Sequence, residues 1–130
     1  MKIFISHSTD YDFKDKIYKP IKDSKLWSLH NFFLPHHQEQ INTKKIICDS
    51  DIVIAEVSLP STGQGVELGW ADCAKVPIFC FYEKDKNVSS SLKFLAREII
   101  EYENSDDLVN KITQVLNNFN FTEKEENVKI

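Results

Sequence analysis

The chain has 130 residues, of which 42% are hydrophobic and 28% charged, and its formal net charge is −4. This length and composition predict one globular domain with a core of ordinary size. The negative charge and the lack of a basic run argue against binding to nucleic acid. No apolar run is long enough to serve as a signal peptide or membrane span. Cys48, Cys73 and Cys80 form no CxxC pair, so we expect free thiols and a cytoplasmic protein.

The first half of the chain alternates short apolar runs with polar turns. The run Lys2–Ser6 predicts a strand, and the turn HSTDYD is followed by a helix from about Tyr11 that ends or kinks at Pro20. The stretch WSLHNFFLP predicts a second strand. Isoleucines at helical spacing predict a helix from Gln38 to Cys48.

The second half contains the clearest strands. DIVIAEV and PIFCFY have the continuous apolar pattern of parallel strands that are buried on both faces, and EIIEY predicts a short edge strand. Helices are predicted over Val66–Ala74, Ser89–Arg97 and Asp106–Phe119. We expect residues 1–120 to form the domain and residues 121–130 a charged tail.

Alternating strands and helices of this length predict a single-domain α/β fold. The expected architecture is a flavodoxin/Rossmann-like three-layer sandwich with about five parallel strands. Ligands of such sheets bind beyond the carboxyl ends of the strands. The junctions ISHS, LPHH and SLPSTGQGVE are therefore the candidate sites.

Glu67 is the main candidate for a reactive group. Gly63 and Gly65 favour a tight turn that a ligand can approach closely, and Glu67 is expected in the first turn of the helix that follows. Amides at a helix start favour an anion and should lower the pKa of Glu67, which suits a nucleophile. Judged by spacing alone, an ordinary first-turn acid and ordinary turn glycines explain the pattern better, because G-x-G without a third glycine is a weak signal.

The stretch SDIVIAEVSLPSTGQGVELGWA, followed by KVPIFCFY, resembles the signature of the nucleoside 2-deoxyribosyltransferase-like superfamily. The resemblance extends from Ser50 to about Lys93 and is closest to the 2'-deoxynucleoside 5'-monophosphate N-hydrolase branch. It implies an enzyme that acts on a small nucleotide or nucleoside without a cofactor, with Glu67 attacking the anomeric carbon of the deoxyribose. Water completes the reaction in a hydrolase, whereas a second nucleobase does so in a transferase.

The same resemblance implies residues that bind the substrate phosphate. Ser61 matches one phosphate-binding serine, and Ser91 matches another that comes from the neighbouring subunit, which implies a homodimer with a shared active site. Without the resemblance, Ser61 is equally a turn residue and Ser91 equally a helix cap. The first loop departs from the hydrolase pattern because it has no arginine, although Ser6 and Ser8 could bind an anion.

The proton donor for the leaving base is open. The resemblance implies an aspartate two helical turns before Asp51, but that position falls around Asn42 and Thr43. The remaining candidates are titratable groups near the strand ends, namely Asp51, Glu39, His7, His36 and His37. Adjacent histidines point in different directions, so no metal site is predicted. Glu56, inside an apolar strand, should be satisfied by backbone amides or by the ligand.

The opening KIFISHSTDYD supports a competing interpretation. It resembles the first strand of Toll/interleukin-1 receptor (TIR) domains, which serve as assembly modules or as NAD glycohydrolases with a helix glutamate. Those domains usually have Ser-x-Trp-Cys around that glutamate rather than a Gly-x-Gly loop. A TIR-like module is therefore the alternative to the hydrolase and the transferase.

Overall fold

The fold is a five-stranded parallel sheet covered by helices on both faces. A computed structural model describes residues 1–36 and 42–128. The strands are β1 (Lys2–His7), β2 (Asn31–Phe33), β3 (Ile52–Glu56), β4 (Ile78–Glu83) and β5 (Glu98–Tyr102). Their order in the sheet is β2-β1-β3-β4-β5, and every neighbouring pair is parallel. This is the flavodoxin-like order, so the predicted fold class is confirmed.

The helices connect successive strands. They are α1 (Lys19–Lys22), α2 (Leu26–Leu29), α3 (Lys44–Cys48), α4 (Thr62–Cys73) and α5 (Ser105–Val128). A π-helical turn over Lys14–Tyr18 leads into α1, and a 3-10 helix over Ser90–Phe94 precedes β5. Helix α5 continues beyond Phe119 into the segment expected to form a charged tail. Within the part of the chain that the structure describes, no helix is both long and apolar enough to cross a bilayer.

Two apolar clusters lie on opposite faces of the sheet. Ile3 and Ile5 of β1 face α1 and α5, whereas Phe4 faces the cluster formed with α3 and α4. The alternation follows from the two-residue repeat of a strand. Each fully buried side chain of this size stabilises the fold by about 1.5–3 kcal/mol. Strands β3 and β4 are buried on both faces, as their apolar runs predicted, and β1 is buried on both faces as well.

Some boundaries differ from the sequence-based expectation. WSLHNFFLP does not form one strand: its first half lies in α2, closed by the bond from the His30 amide to the Leu26 carbonyl, and only Asn31–Phe33 pairs with β1. Pro20 does not end the helix: it lies in α1, which follows the π-helical turn over Lys14–Tyr18 without a break. The helix expected from residue 89 to residue 97 is the shorter 3-10 helix.

The topology brings one pair of strand ends to a position suited to ligand binding. In the strand order, β2 lies next to β1 in one direction, whereas β4 lies next to β3 in the opposite direction. The connections that follow β1 and β3 therefore lead away from each other. In doubly wound sheets the crevice opens at this reversal of strand order, beyond the carboxyl ends of the strands. The ends of β1 and β3, together with the start of α4, therefore form the expected site.

Candidate active site

Glu67 lies in the second turn of α4, not in the first. The helix begins at Thr62, and the side chain of Ser61 caps it by accepting a hydrogen bond from the Gln64 amide at 3.4 Å. Gly63 and Gly65 are thus helical residues with ordinary negative φ, and the prediction of a glycine turn is wrong. The Ser61 cap and the burial of the helix on the sheet outweigh the cost of about 1 kcal/mol per helical glycine.

The carboxylate of Glu67 is held by two hydroxyl groups. Ser6 Oγ, at the end of β1, donates to Glu67 Oε1 at 3.2 Å. Thr43 Oγ1, just before α3, donates to Oε2 at 3.1 Å. Glu67 also lines a cleft of about 680 Å³. The other residues lining this cleft are His7, Thr9, Pro35, His36, Asn42, Thr43, Ser61, Gly63, Gln64, Val66 and Trp70.

Burial raises the pKa of Glu67, and the hydrogen bonds from Thr43 and Ser6 partly offset that rise. The expected lowering of this pKa by the helix start is therefore wrong. The effect of the helix dipole falls off within the first turn, and Glu67 lies beyond it. The hydrogen bonds from Thr43 and Ser6 thus favour the charged form of the carboxylate, against the effect of burial.

Ser6 and Ser8, which the sequence offered as residues that could bind an anion, are both buried. Strand β1 extends to His7, one residue further than expected, so Ser6 is fully buried and faces Glu67. Ser8 is also buried, and its hydroxyl accepts a hydrogen bond from the Asp10 amide at 3.1 Å. Neither serine lines the cleft.

Of the candidate acids that the structure describes, His7 and His36 lie at the cleft. The ring of His7 is buried, with Nδ1 donating to the Ser8 carbonyl at 3.0 Å and Nε2 accepting from the Tyr18 hydroxyl at 2.6 Å. Burial lowers the pKa of His7 to about 4, so this ring is neutral at pH 7. The exposed ring of His36 lies 5.0 Å from that of His7, and partial burial lowers its pKa as well.

Asp51 lies at the amino ends of the strands, opposite the end of the sheet at which Glu67 lies. Its carboxylate accepts a hydrogen bond from the Lys2 amide at 2.7 Å, beside the start of β1, whereas Glu67 contacts Ser6 near the end of that strand. Four residues of a strand span about 13 Å, so Asp51 cannot reach a substrate at Glu67. The other two candidates, His37 and Glu39, lie outside the described residues.

A second cavity, of about 450 Å³, lies on the other side of the first turn of α4. Ser61 lines both this cavity and the cleft, whereas Gly65 and Ser91 line only the second cavity. Ser91 is exposed, and its amide donates to the Ser89 hydroxyl at 3.3 Å, so Ser89 caps the 3-10 helix. Ser91 of this chain therefore does not line the cleft that contains Glu67.

A buried network behind the cleft fixes the end of β3. Glu56 accepts hydrogen bonds from both the amide and the hydroxyl of Ser58, at 2.6 and 2.9 Å, and from the hydroxyl of Tyr102. Gln64 Nε2 donates to the Glu56 carbonyl at 2.8 Å, which holds the start of α4 against the strand. The expectation that backbone groups help to satisfy Glu56 is confirmed. Sequence reasoning missed the contact of Gln64 and, although the resemblance directed attention to the region of Asn42 and Thr43, the contact of Thr43 with Glu67; both contacts depend on how α4 packs.

The protein is thus a domain with the flavodoxin-like strand order. Its cleft lies where the strand order reverses and contains a carboxylate, that of Glu67, which accepts hydrogen bonds from two hydroxyl groups. No protein-family model matches the chain. A curated protein of Methanosarcina barkeri, provisionally named 2'-deoxynucleoside 5'-phosphate N-hydrolase 1, is 42% identical over 45 residues. That match covers 35% of this chain and 28% of the relative. The chain thus matches under a third of the relative's length.

Two solved structures share the fold over most of both chains. The CMP N-glycosidase BcmB of Clostridium botulinum has a TM-score of 0.66 and 18% identity, covering 87% of this chain and 99% of its own. A 2-deoxyribosyltransferase of Bacillus psychrosaccharolyticus has a TM-score of 0.58 and 16% identity, covering 83% and 90%. The similarity to the nucleoside 2-deoxyribosyltransferase-like superfamily, predicted from the sequence, is confirmed.

Proposed function

We propose that the chain is an enzyme that cleaves the N-glycosidic bond of a 2'-deoxynucleoside 5'-monophosphate, giving free base and deoxyribose 5-phosphate. The observation that carries the proposal is the Glu67 carboxylate, which lines the cleft at the carboxyl edge of the sheet and has one hydroxyl donor on each oxygen. The names of the relative and of the two structural neighbours support this class of reaction.

In the proposed reaction a Glu67 oxygen bonds to the anomeric carbon while the bond to the base breaks. The base leaves with the electron pair and takes up a proton, and water then hydrolyses the ester between sugar and enzyme. His36 is the proposed proton donor, since its ring lines the cleft and His7 is neutral with both ring nitrogens bonded. The proposed phosphate contacts are Ser61 and, from a second subunit of a homodimer, Ser91.

The first experiment measures base release from a panel of substrates. The panel contains the four deoxynucleoside monophosphates, modified pyrimidine monophosphates, the free deoxynucleosides and NAD. Glu67→Gln should reduce release at least about 10³-fold, because the variant lacks the nucleophile. Asp72→Asn is the matched control, because Asp72 is an exposed carboxylate on the same helix. Native turnover in Glu67→Gln would disprove the assignment, and release from NAD alone would favour the TIR-like alternative.

A transferase is the second candidate, and one observation favours it. None of the described residues that line the cleft is Lys or Arg, so the cleft is also compatible with an uncharged nucleoside. Adding a free acceptor base to the reaction separates the two activities. Formation of a new nucleoside at the expense of hydrolysis would show base exchange.

A further inference from the structure

The two hydroxyl groups that donate hydrogen bonds to the Glu67 carboxylate come from segments that are far apart in the chain. Ser6 lies 61 residues before Glu67 and Thr43 lies 24 residues before it, yet each donates to a different oxygen of the same carboxylate. We propose that Thr43 and Ser6 are positioning residues that together aim the Glu67 carboxylate into the cleft; this inference rests on the proposed function. Thr43 occupies the region where the superfamily resemblance implied an aspartate.

The geometry explains why two donors are needed. A glutamate side chain has three rotatable bonds, and one hydrogen bond leaves the carboxylate free to turn about its own axis. A donor on each oxygen fixes the plane of the group. Ser6 is fully buried within β1, and Thr43 is a β-branched residue with few rotamers, so both donors have limited freedom. A misplacement of about 1 Å in a reacting group can cost about 100-fold in rate.

The two hydroxyls also act on the charge of Glu67. Burial favours the neutral carboxyl, and hydroxyl donors favour the carboxylate. The other titratable groups facing this region are His7 on β1, His36 after β2 and Tyr18 in the π-helical turn, and Lys44 of α3 lies over the Trp70 ring. His7 is neutral, and His36 loses its charge as the pH rises. The hydroxyl donors therefore provide the direct stabilisation of the charged form.

Thr43 is the better residue to test, because Ser6 is in the buried part of the sheet and its replacement could disturb β1. Thr43→Val removes the donor and keeps the shape of the side chain, whereas Thr43→Ser keeps the donor. Thr113→Val on α5 is the control, since it removes a threonine hydroxyl that donates to the Val109 carbonyl on its own helix, away from Glu67. Circular dichroism establishes that each variant is folded.

Two measurements on these variants test the inference. The first is the pH profile of kcat/KM for the best substrate of the panel, and the second is a 13C NMR titration of the Glu67 carboxyl, assigned by its loss in Glu67→Gln. Thr43→Val should move both the acid limb of the profile and the NMR midpoint upward by about one pH unit. It should lower kcat about tenfold or more with little change in KM. Thr43→Ser should restore both values, and Thr113→Val should not change them.

The NMR titration separates failure of this inference from failure of the proposed function. If Thr43→Val titrates like the native protein and keeps the native kcat, the positioning role is wrong even where base release depends on Glu67. If the native protein releases no base from any substrate, the proposed function fails, and the titration still decides whether Thr43 supports the carboxylate. A loss of kcat that Thr43→Ser does not restore would also overturn the inference, since a merely structural defect would explain it.

Discussion

Replacing Tyr102 by Phe should destabilise the fold through the buried carboxyl of Glu56. The Tyr102 side chain is 2% exposed, and its hydroxyl bonds to Glu56 and lies 2.7 Å from that of Tyr11. The variant leaves the Glu56 carboxyl with Ser58 as its remaining donor and leaves a small void. Loss of a buried hydrogen bond of this kind costs about 1–3 kcal/mol. For a domain of this size that corresponds to a fall in Tm of about 4 °C per kcal/mol.

The destabilisation should depend on pH in a defined direction. Burial raises the pKa of Glu56 above its ordinary value of 4.5 in the folded protein. This shift stabilises the folded protein fully at a pH below the pKa that Glu56 has in the unfolded chain. The stabilisation is lost as the pH rises through the pKa that Glu56 has in the folded protein. The Tyr102 hydroxyl offsets part of that loss by bonding to the charged form. The effect of Tyr102→Phe should therefore be larger at pH 8 than at pH 5.

Urea unfolding followed by circular dichroism at both pH values measures this effect. Tyr82→Phe is the control, because the Tyr82 hydroxyl lies at the surface, 3.4 Å from the Glu101 carboxylate. Its loss should change the free energy of unfolding by less than about 0.5 kcal/mol. The reasoning is refuted if Tyr102→Phe costs no more than the control, or if its cost is the same at pH 5 and pH 8.

Two further predictions concern turnover by the proposed enzyme. Ser61→Ala and Ser91→Ala should each raise KM for a monophosphate about tenfold and leave KM for the nucleoside unchanged; equal effects on both substrates would remove these serines from the phosphate site. His36→Asn should lower kcat about 100-fold at acidic pH. Partial burial lowers the pKa of His36 below its ordinary value of 6.5, so the ring loses its proton at a more acidic pH. The kcat of the native protein should therefore fall as the pH rises through this acidic range, whereas the kcat of the variant should stay level. A native pH profile in His36→Asn would identify another proton donor.

The sequence predicted the sheet well because its strands are long apolar runs. DIVIAEV and PIFCFY are short continuous apolar runs rich in β-branched and aromatic residues, which favours strands buried on both faces, and their alternation with helices favours parallel pairing. The short edge strand β2 was less predictable. Trp27 and Leu29 continue the apolar pattern of Phe32 and Phe33, and whether such a short run is helix or strand depends on what it packs against. The structure places Trp27 and Leu29 in α2 and pairs Phe32 and Phe33 with β1.

The site was predictable only in part, because its geometry depends on long-range packing. The position of Glu67 at the carboxyl edge of the sheet follows from the order of strands and helices. The shift of Glu67 from the first to the second turn of α4 results from the Ser61 cap, which starts the helix before the two glycines. Ser6, a candidate for ligand contact, is fully buried in β1 and donates to Glu67 because of how α4 packs against the end of that strand. Neither effect can be predicted from the helix and strand propensities of the individual residues.

The charges in the cleft limit which substrates it can hold. A phosphate monoester carries a charge of about −1.5 to −2 at pH 7. At about 6 Å from the Glu67 carboxylate it would be repelled by roughly 4–6 kcal/mol at an effective dielectric constant of about 20. The helix start behind Ser61 contributes about 0.3–1 kcal/mol in return, and a serine bonded to the phosphate contributes about 1.5–3 kcal/mol. Ser61 and the helix start therefore do not offset the repulsion by themselves and create no preference for the phosphate. A second donor such as the partner's Ser91 would tip the balance, so a preference for monophosphates over nucleosides should appear only in the homodimer.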